Sequence, residues 1–237
     1  MSTRLQNHNV GAASAPRSAA ANVATALAVD AAKVATKVPA VCAIVLAAGF
    51  STRMGRPKAL LDWHGTPFLT QICVCLTAAG IALIVVVTSA DHAVAIRAQT
   101  TENVVCAINP RPEDGMLSSL RCGLRALDMP DAHIMLCLVD HPGVQIVTYR
   151  SLMAQAATDK IIVPLYQGRR GHPTLFGASF VEELRHGACP DGARSVVHAH
   201  PHALCEIAVD DPFVVTDIDT PADYAAAVDS ADAPQRR

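Results

Sequence analysis

A repeated alternation of apolar runs and amphipathic segments restricts the fold of this chain more than any other feature. Residues 41–47 form an uninterrupted apolar run, as expected of a strand covered on both faces of a parallel sheet. The same pattern predicts further strands at 82–88, 104–108, 134–139 and 160–165, and helices near 66–80, from 91, over 117–127, near 145–157 and near 178–185. This order predicts an α/β fold, a Rossmann-like, doubly wound, mostly parallel sheet flanked by helices. In such sheets ligands bind at the carboxyl ends of the strands.

The chain divides near residue 40. Residues 11–40 contain thirteen alanines and few large apolar side chains, so they have little surface with which to hold a fixed position. We therefore predict an Ala-rich disordered tail over 1–40, one α/β domain over 41–229 and a loose C-terminus over 230–237. Asp30 and Lys33 interrupt the most apolar stretch of the tail, which argues against a signal peptide or membrane span. Arg4 and Arg17 leave organelle targeting open.

Composition excludes several classes of protein. Hydrophobic residues make up 51% and charged residues 17%, which is typical of a globular domain. With 19 basic and 21 acidic residues the formal net charge is −2, so we expect no nucleic-acid partner and no membrane partner. The eight cysteines show no C-x-x-C spacing and lie mostly in apolar runs, which predicts buried thiols and a cytoplasmic protein.

The segment after the first predicted strand carries the strongest chemical signal. It reads L-A-A-G-F-S-T-R-M-G-R-P-K over residues 46–58. Small residues at Ala47, Ala48 and Gly49 allow a backbone to approach a bulky anion, and successive N–H groups can bind phosphate oxygens. Ser51 adds a hydroxyl. Two basic residues, Arg53 and Lys58, add positive charge against a triphosphate, although the segment matches neither the Walker pattern nor G-x-G-x-x-G.

Acidic residues follow other predicted strands. Asp140 comes directly after the strand at 134–139, where a carboxylate would project into the ligand cleft and suit Mg²⁺; a turn or helix cap is the alternative. Asp217 and Asp219 alternate along an extended segment, so their side chains share a face. Thr220-Pro221 then begins a helix, and Asp223 stands at its capping-box position.

These residues form part of a longer resemblance. The pattern L-A-A-G-x-S-x-R-M-G-x-x-K resembles the signature of the molybdenum cofactor nucleotidyltransferase superfamily, and the chain most resembles its cytidylyltransferase branch. The match extends through most of 41–229, in four further blocks at 109–121, 138–142, 168–176 and 217–224. The resemblance implies a nucleotide-diphospho-sugar transferase type of fold for the domain at 41–229.

The resemblance also implies roles for individual residues. Asp140 and Asp219 would hold Mg²⁺, with Arg53, Lys58 and Asp140 as the catalytic residues. The nucleotide would contact the first loop together with Gly115 and Ser119, which would lie near the base. On the acceptor side we expect His172 and Arg170, whereas Asp217 is a less favoured metal ligand.

The activity implied is transfer of a nucleoside monophosphate from an NTP onto a phosphorylated small molecule, with release of pyrophosphate. The Ala47-Ala48-Gly49 sequence favours CTP over GTP within this superfamily, and molybdopterin is the acceptor that the resemblance suggests. We expect a monomer, an ionised acceptor phosphate as nucleophile, and no essential histidine base.

Two departures and three alternatives accompany this prediction. His141 stands where relatives often carry Gln or Met, and Ser89 stands where a glycine commonly follows the second strand; we expect neither to touch the metal site. A sugar or polyol phosphate as acceptor is the first alternative. A non-catalytic module that delivers cofactor to a molybdoenzyme is a second alternative. An oxidoreductase on a Rossmann-like sheet is the least favoured, because no dinucleotide fingerprint follows the first strand.

Overall fold

The structure is a computed structural model that describes residues 40–101, 103–129 and 131–232. The predicted Ala-rich tail therefore lies outside the described residues, apart from Ala40, and so do residues 233–237. Residues 230–232, which we expected to be loose, belong to the last helix.

Ten strands and seven α-helices form the described part of the chain. The strands are β1 (Val41–Leu46), β2 (Asp62–Trp63), β3 (Thr66–Pro67), β4 (Ile84–Ser89), β5 (Val104–Asn109), β6 (His133–Leu138), β7 (Ile161–Tyr166), β8 (Arg169–Arg170), β9 (Thr174–Phe176) and β10 (Leu204–Ala208). The helices are α1 (Phe68–Ala79), α2 (Ala93–Arg97), α3 (Met116–Leu127), α4 (Ile146–Met153), α5 (Val181–His186), α6 (Ala193–Ala199) and α7 (Pro221–Asp232). Among these residues no helix is long and apolar enough to cross a bilayer.

Eight of the strands form one mostly parallel sheet, which confirms the predicted architecture. Its order is β10-β7-β9-β6-β1-β4-β5, with β8 paired to β7. The strand β1 pairs in parallel with both β4 and β6 near the middle of the sheet, and β9 runs antiparallel between β6 and β7. The carboxyl ends of β1, β4, β5 and β6 therefore meet at one edge.

Two apolar layers cover the faces of this sheet, because alternate residues of a buried strand point to opposite sides. From β1, Ile44 and Leu46 pack on the face that carries α3 and α5. Ala43 and Val45 pack on the other face, which α1 and α4 cover. The continuous apolar run that predicted β1 thus reflects burial on both faces.

A third, smaller cluster holds the end of the chain against the sheet edge. It joins Leu61, Trp63 and Phe68 from the β2–β3 hairpin and α1 to Ile218 and Ala227. It anchors residues 211–219, a segment that crosses from β10 to α7 and is called the strap below.

Several elements were not predicted from the sequence: β2, β3, β8, β9, β10 and α6. The helix predicted near 66–80 begins at Phe68, because Thr66 and Pro67 pair with β2. Each strand of the hairpin has only two residues, so no local sequence pattern indicates it. The packing of Trp63 against Phe68 stabilises the hairpin.

The cysteines are buried thiols, as predicted. All eight are free, and only Cys106 and Cys205 are partly exposed. Burial raises the pKa of Cys42 to about 11 and that of Cys73 to about 12, with Cys106 adding to the latter rise. Their thiolates are therefore absent at neutral pH.

Asp211 is the buried polar residue that fixes the strap, and it generates a prediction. Its carboxylate accepts hydrogen bonds from the backbone amide of Gln145 (2.9 Å), the Thr148 hydroxyl (2.6 Å) and the backbone amide of Phe213 (3.1 Å).

Asp211→Ala should lower the free energy of unfolding by about 2–4 kcal/mol, because three donors lose a charged acceptor. Chemical denaturation measures this. The exposed neighbour provides the control, since Asp210→Ala should change it by less than about 0.5 kcal/mol. Equal losses in the two variants would contradict the assignment.

Candidate active site

Strand register brings the first loop and Asp140 together. Leu46 lies opposite Leu138 in the pairing of β1 with β6, and the Val139 amide donates to the Leu46 carbonyl at 3.2 Å. The chain that leaves β1 and the chain that leaves β6 therefore start side by side. The strap also lies against this edge, because the backbone amide of Ile218 donates to the Asp140 carbonyl at 3.2 Å.

The first loop folds back so that its two ends meet. Ser51 has a left-handed backbone (φ 50°), and its hydroxyl accepts a hydrogen bond from the Lys58 amide at 3.1 Å. A 3-10 turn over Thr52–Met54 carries Arg53, and a second over Lys58–Leu60 carries Lys58. The loop thus points both basic residues towards the edge of the sheet where Asp140 lies.

Two carboxylates from distant parts of the chain share the ammonium of Lys58. Its Nζ donates to Asp140 Oδ2 at 3.3 Å and also to Asp219 Oδ1. Arg53 donates to the other oxygen of Asp219 at 2.8 Å. The Lys58 side chain is only 11% exposed, whereas that of Arg53 is 65% exposed. The hydrogen bond from Lys58 is the largest cause that lowers the pKa of Asp219 below its usual range.

An open cavity of about 270 Å³ lies beside this charge cluster. Its lining includes every residue predicted to contact the nucleotide or the metal: Ala47, Ala48, Gly49, Ser51, Arg53, Lys58, Gly115, Ser119, Asp140 and Asp219. Pro112, Met116 and Leu138 add apolar surface to the same cavity. Gly49 leaves room in it, since a Cβ there would meet no atom within 4 Å.

The far side of the cavity is held by Asn109, which we did not predict as a site residue. Asn109 is buried at the end of β5, and its amide donates to the Ser118 hydroxyl at 2.8 Å and the Ser119 hydroxyl at 3.0 Å. Gly115 has φ +86° and ψ −172° directly before α3, a conformation that only glycine adopts readily. Asn109 opens the block of resemblance at 109–121, although nothing in that block indicated the contact with Ser119.

His141 corrects an expectation. We expected it to stand apart from the metal site, but its imidazole is only 3% exposed and Nε2 lies 3.8 Å from Asp140 Oδ1. The same nitrogen lies 2.9 Å from Asp217 Oδ1, a charge contact without the direction of a good hydrogen bond, and Nδ1 lies 3.0 Å from the Phe213 carbonyl oxygen. Burial disfavours the protonated ring, but the contact with Asp217 and the charge of Asp140 outweigh it, so the pKa of His141 is raised.

Neither His172 nor Arg170, the two residues predicted on the acceptor side, lines the cavity, and they lie in different surroundings. The ring of His172 lies 5.3 Å from that of His141, and burial together with His141 lowers the pKa of His172 to about 4, so it is neutral at pH 7. Arg170 does not line the cavity. Its guanidinium pairs with Glu206 across the short strands at the edge of the sheet.

Asp223 acts as the predicted helix cap. Its carboxylate accepts a hydrogen bond from the Thr220 amide at 2.8 Å, and the Asp223 amide donates to the Thr220 hydroxyl at 3.2 Å. The Asp219 amide also donates to this carboxylate at 3.3 Å, so the cap holds the backbone of Asp219.

The donors fit a hard divalent cation that also binds substrate. The Lys58 ammonium already marks a seat for positive charge between Asp140 Oδ2 and Asp219 Oδ1. Within residues 40–101, 103–129 and 131–232, no three His, Cys, Asp or Glu side chains form a complete metal cage. Mg²⁺ is commonly held by one or two carboxylates, with substrate phosphates and water completing its shell.

A parallel sheet with this loop, cavity and pair of carboxylates at its carboxyl edge defines a nucleotidyltransferase. The chain belongs to the family of MobA-like NTP transferase domains, whose model matches residues 43–204.

Relatives of known or assigned function are similar over most of the described chain. Nicotine blue oxidoreductase of Paenarthrobacter nicotinovorans is 28% identical over 194 residues, covering 78% of this chain and 95% of that protein. Molybdenum cofactor cytidylyltransferase of Escherichia coli (strain K12) is 28% identical over 189 residues, covering 79% and 95%. A probable molybdenum cofactor guanylyltransferase of Bacillus cereus (strain ATCC 10987 / NRS 248) is 30% identical over 128 residues, but covers only 54% of this chain and 62% of that protein.

Solved structures agree with the fold. Rv0371c of Mycobacterium tuberculosis H37Rv superposes with a TM-score of 0.71 and 29% identity, over 81% of this chain and 100% of that one. A complex of Rv0371C with manganese gives a TM-score of 0.65 and 30% identity, over 81% and 98%.

The space beside Gly49 generates a prediction. Gly49→Ala should leave the melting temperature unchanged, because the added methyl meets no protein atom, and should weaken NTP binding about tenfold or more because the methyl enters the cavity. Differential scanning calorimetry and isothermal titration calorimetry measure the two effects. Gly177→Ala is the matched control: its Cβ would lie 2.3 Å from the Thr158 carbonyl oxygen, outside the cavity lining, so it should lower stability instead. Unchanged NTP affinity in Gly49→Ala would contradict the placement.

Proposed function

We propose that this protein transfers CMP from CTP onto the phosphate of a small acceptor of the molybdopterin class, with Mg²⁺ as the cation, and releases pyrophosphate. The meeting of Asp140 and Asp219 around a single positive charge, at the mouth of the cavity that the first loop lines, is the observation that supports this proposal most directly.

The first loop and α3 supply the nucleotide side of the site. Ala47, Ala48 and Gly49 let the triphosphate approach the backbone, while Arg53 and Lys58 oppose its negative charge. Gly115 and Ser119 border the opposite wall, where the base would lie. Asn109 fixes the Ser119 hydroxyl, so that side of the pocket is formed before substrate binds.

Positioning and charge neutralisation provide the catalysis. An ionised phosphate oxygen of the acceptor forms a bond to the α-phosphorus, and the bond from that phosphorus to the bridging oxygen breaks in line, so that pyrophosphate leaves with the electron pair. When bound, the cation supplies charge neutralisation of the phosphates. Asp140 and Asp219 would hold it, and Lys58 and Arg53 would then be free to pair with the phosphates. No group needs to remove a proton from the nucleophile, so no histidine base is required.

The preference for CTP has two supports. The loop reads Ala-Ala-Gly, which in the resemblance favours cytidine over guanosine. The relative named as a cytidylyltransferase is matched over 95% of its length, whereas the probable guanylyltransferase is matched over 62%.

Another chemistry is raised by the relative named as an oxidoreductase, which is 28% identical to this chain. Within the described residues, the cavity presents two carboxylates and two basic side chains, a set that suits phosphate and metal binding. This favours group transfer over reduction. A sugar or polyol phosphate acceptor would use the same charge cluster with a different acceptor pocket.

The decisive experiment is an acceptor screen that follows pyrophosphate release. CTP, GTP, ATP and UTP are each tested with molybdopterin and with sugar and polyol phosphates, in the presence of Mg²⁺ or Mn²⁺. We expect turnover with CTP and molybdopterin, and a loss of about 10²–10³ in kcat for Asp140→Asn because an electrostatic contact to the reacting phosphates is lost.

The control for this screen is Asp62→Asn, which removes an exposed carboxylate outside the cavity and should keep wild-type turnover. Circular dichroism establishes that each variant is folded. Near-normal pyrophosphate release from folded Asp140→Asn, or turnover only with sugar phosphates, would overturn the mechanism or the acceptor respectively.

Lys58 generates a prediction about metal binding. Its ammonium occupies the position between the carboxylates, so a divalent cation that binds there without nucleotide must displace it. Lys58→Met should therefore bind Mn²⁺ about tenfold or more tightly without nucleotide, while losing activity, since the competing positive charge is removed. Electron paramagnetic resonance of free Mn²⁺ measures this directly.

Arg53→Met serves as the comparison for Lys58→Met. Arg53 contacts Asp219 but not Asp140 and is 65% exposed, so its removal should raise Mn²⁺ affinity less. If Lys58→Met binds Mn²⁺ no more tightly than the wild type, the carboxylate pair is not the metal seat.

A further inference from the structure

We infer that His141 and Asp217 form a latch, a pair of positioning residues that holds the strap against the end of β6 and so sets the distance between Asp140 and Asp219. The inference rests on the proposed function. It assigns a role to a histidine that replaces the Gln or Met expected at this position.

The latch joins two segments that are remote in sequence. The His141 ring is buried beside Asp140, at the end of β6, and both of its nitrogens contact the strap, one at the Phe213 carbonyl oxygen (3.0 Å) and the other at Asp217 Oδ1 (2.9 Å). These partners are 72 and 76 positions further along the chain, so the contacts are tertiary.

The strap needs such a restraint because its carboxylate end is exposed. Asp217 is 67% exposed and does not line the cavity, and Asp219 is 34% exposed. Asp211 fixes the other end of the strap from within the core. Between this buried anchor and Asp219, the segment is restrained by the Ile218 amide, which donates to the Asp140 carbonyl, and by the contact of Asp217 with His141.

His141 lies on the side of Asp140 away from the seat of positive charge. Lys58 contacts Asp140 Oδ2, whereas His141 approaches Oδ1. The imidazole thus does not occupy the position that Lys58 marks, and it acts through the two aspartates rather than on substrate. Groups that orient metal-binding carboxylates in this way typically contribute about 10–100-fold to metal affinity or activity.

Two substitutions of His141 distinguish the contact that Nδ1 makes with Phe213 from the contact that Nε2 makes with Asp217. His141→Asn and His141→Gln both remove the ring, but the Asn amide replaces Nδ1, facing Phe213, and the Gln amide replaces Nε2, facing Asp217. We expect His141→Gln to retain most of the wild-type kcat and Mn²⁺ dependence in the presence of CTP. His141→Asn should need about tenfold more Mn²⁺ for half-saturation. Both are measured by pyrophosphate release, and Mn²⁺ binding to the protein–CTP complex is measured independently by electron paramagnetic resonance.

A double-mutant cycle tests the pair. Asp217→Ala should reproduce the Mn²⁺ defect of His141→Asn, and the double variant should be no worse than either single one, because both break the same contact. Additive defects would show that Asp217 binds the cation itself, and would overturn the latch. Indistinguishable Asn and Gln variants would overturn it as well.

His133→Asn is the control for stability. His133 is a buried histidine at the opposite end of β6, where its Nδ1 accepts from the Ala178 amide at 3.1 Å. It should change the melting temperature without changing Mn²⁺ dependence. If all histidine variants lose Mn²⁺ binding in proportion to melting temperature, the role of His141 is structural only. Absence of turnover in the wild type would refute the proposed function, whereas Mn²⁺–CTP binding would still decide the latch.

Discussion

The ammonium of Lys58, shared by two carboxylates from distant parts of the chain, is the interaction on which the rest of the site depends. Asp140 follows β6 and Asp219 ends the strap, and the positive charge between them offsets the mutual repulsion of the two carboxylates. The lysine therefore does in the resting protein what a divalent cation is proposed to do with substrate. The same contact joins the first loop, the central strands and the C-terminal segment.

The paired strands of the sheet position the first loop and Asp140, whereas the strap positions Asp219. β1 and β6 are paired along six residues each, which fixes where the first loop and Asp140 begin. The strap is held by separate contacts: the hydrogen bond from the Ile218 amide to the Asp140 carbonyl, the buried carboxylate of Asp211, packing of Ile218 in the small third core, and the cap that Asp223 forms. The geometry of the candidate site thus combines an element set by strand pairing with one set mainly by side chains.

Much of the fold and site followed from the sequence because the strongest signals are local. The apolar run of β1 and the small and basic residues after it predict the nucleotide loop, and the rule that ligands bind at the carboxyl ends of strands predicts that Asp140 lies beside it. The antiparallel strand β9 and the helix α6 were missed, since they are short and carry no periodic pattern. The contacts of His141 were missed for another reason: one partner is a backbone carbonyl 72 residues away, which no spacing in the sequence can indicate.

The burial of the thiols gives the two faces of the sheet separate chemical reporters. Cys42 belongs to the apolar layer under α3, and Cys73, Cys75 and Cys137 belong to the layer under α1 and α4. Because burial holds their pKa values well above neutrality, these sulfurs react with alkylating reagents only when the layer around them opens. Mass-resolved alkylation can therefore follow the loosening of each layer separately, in the natural chain and without an introduced label.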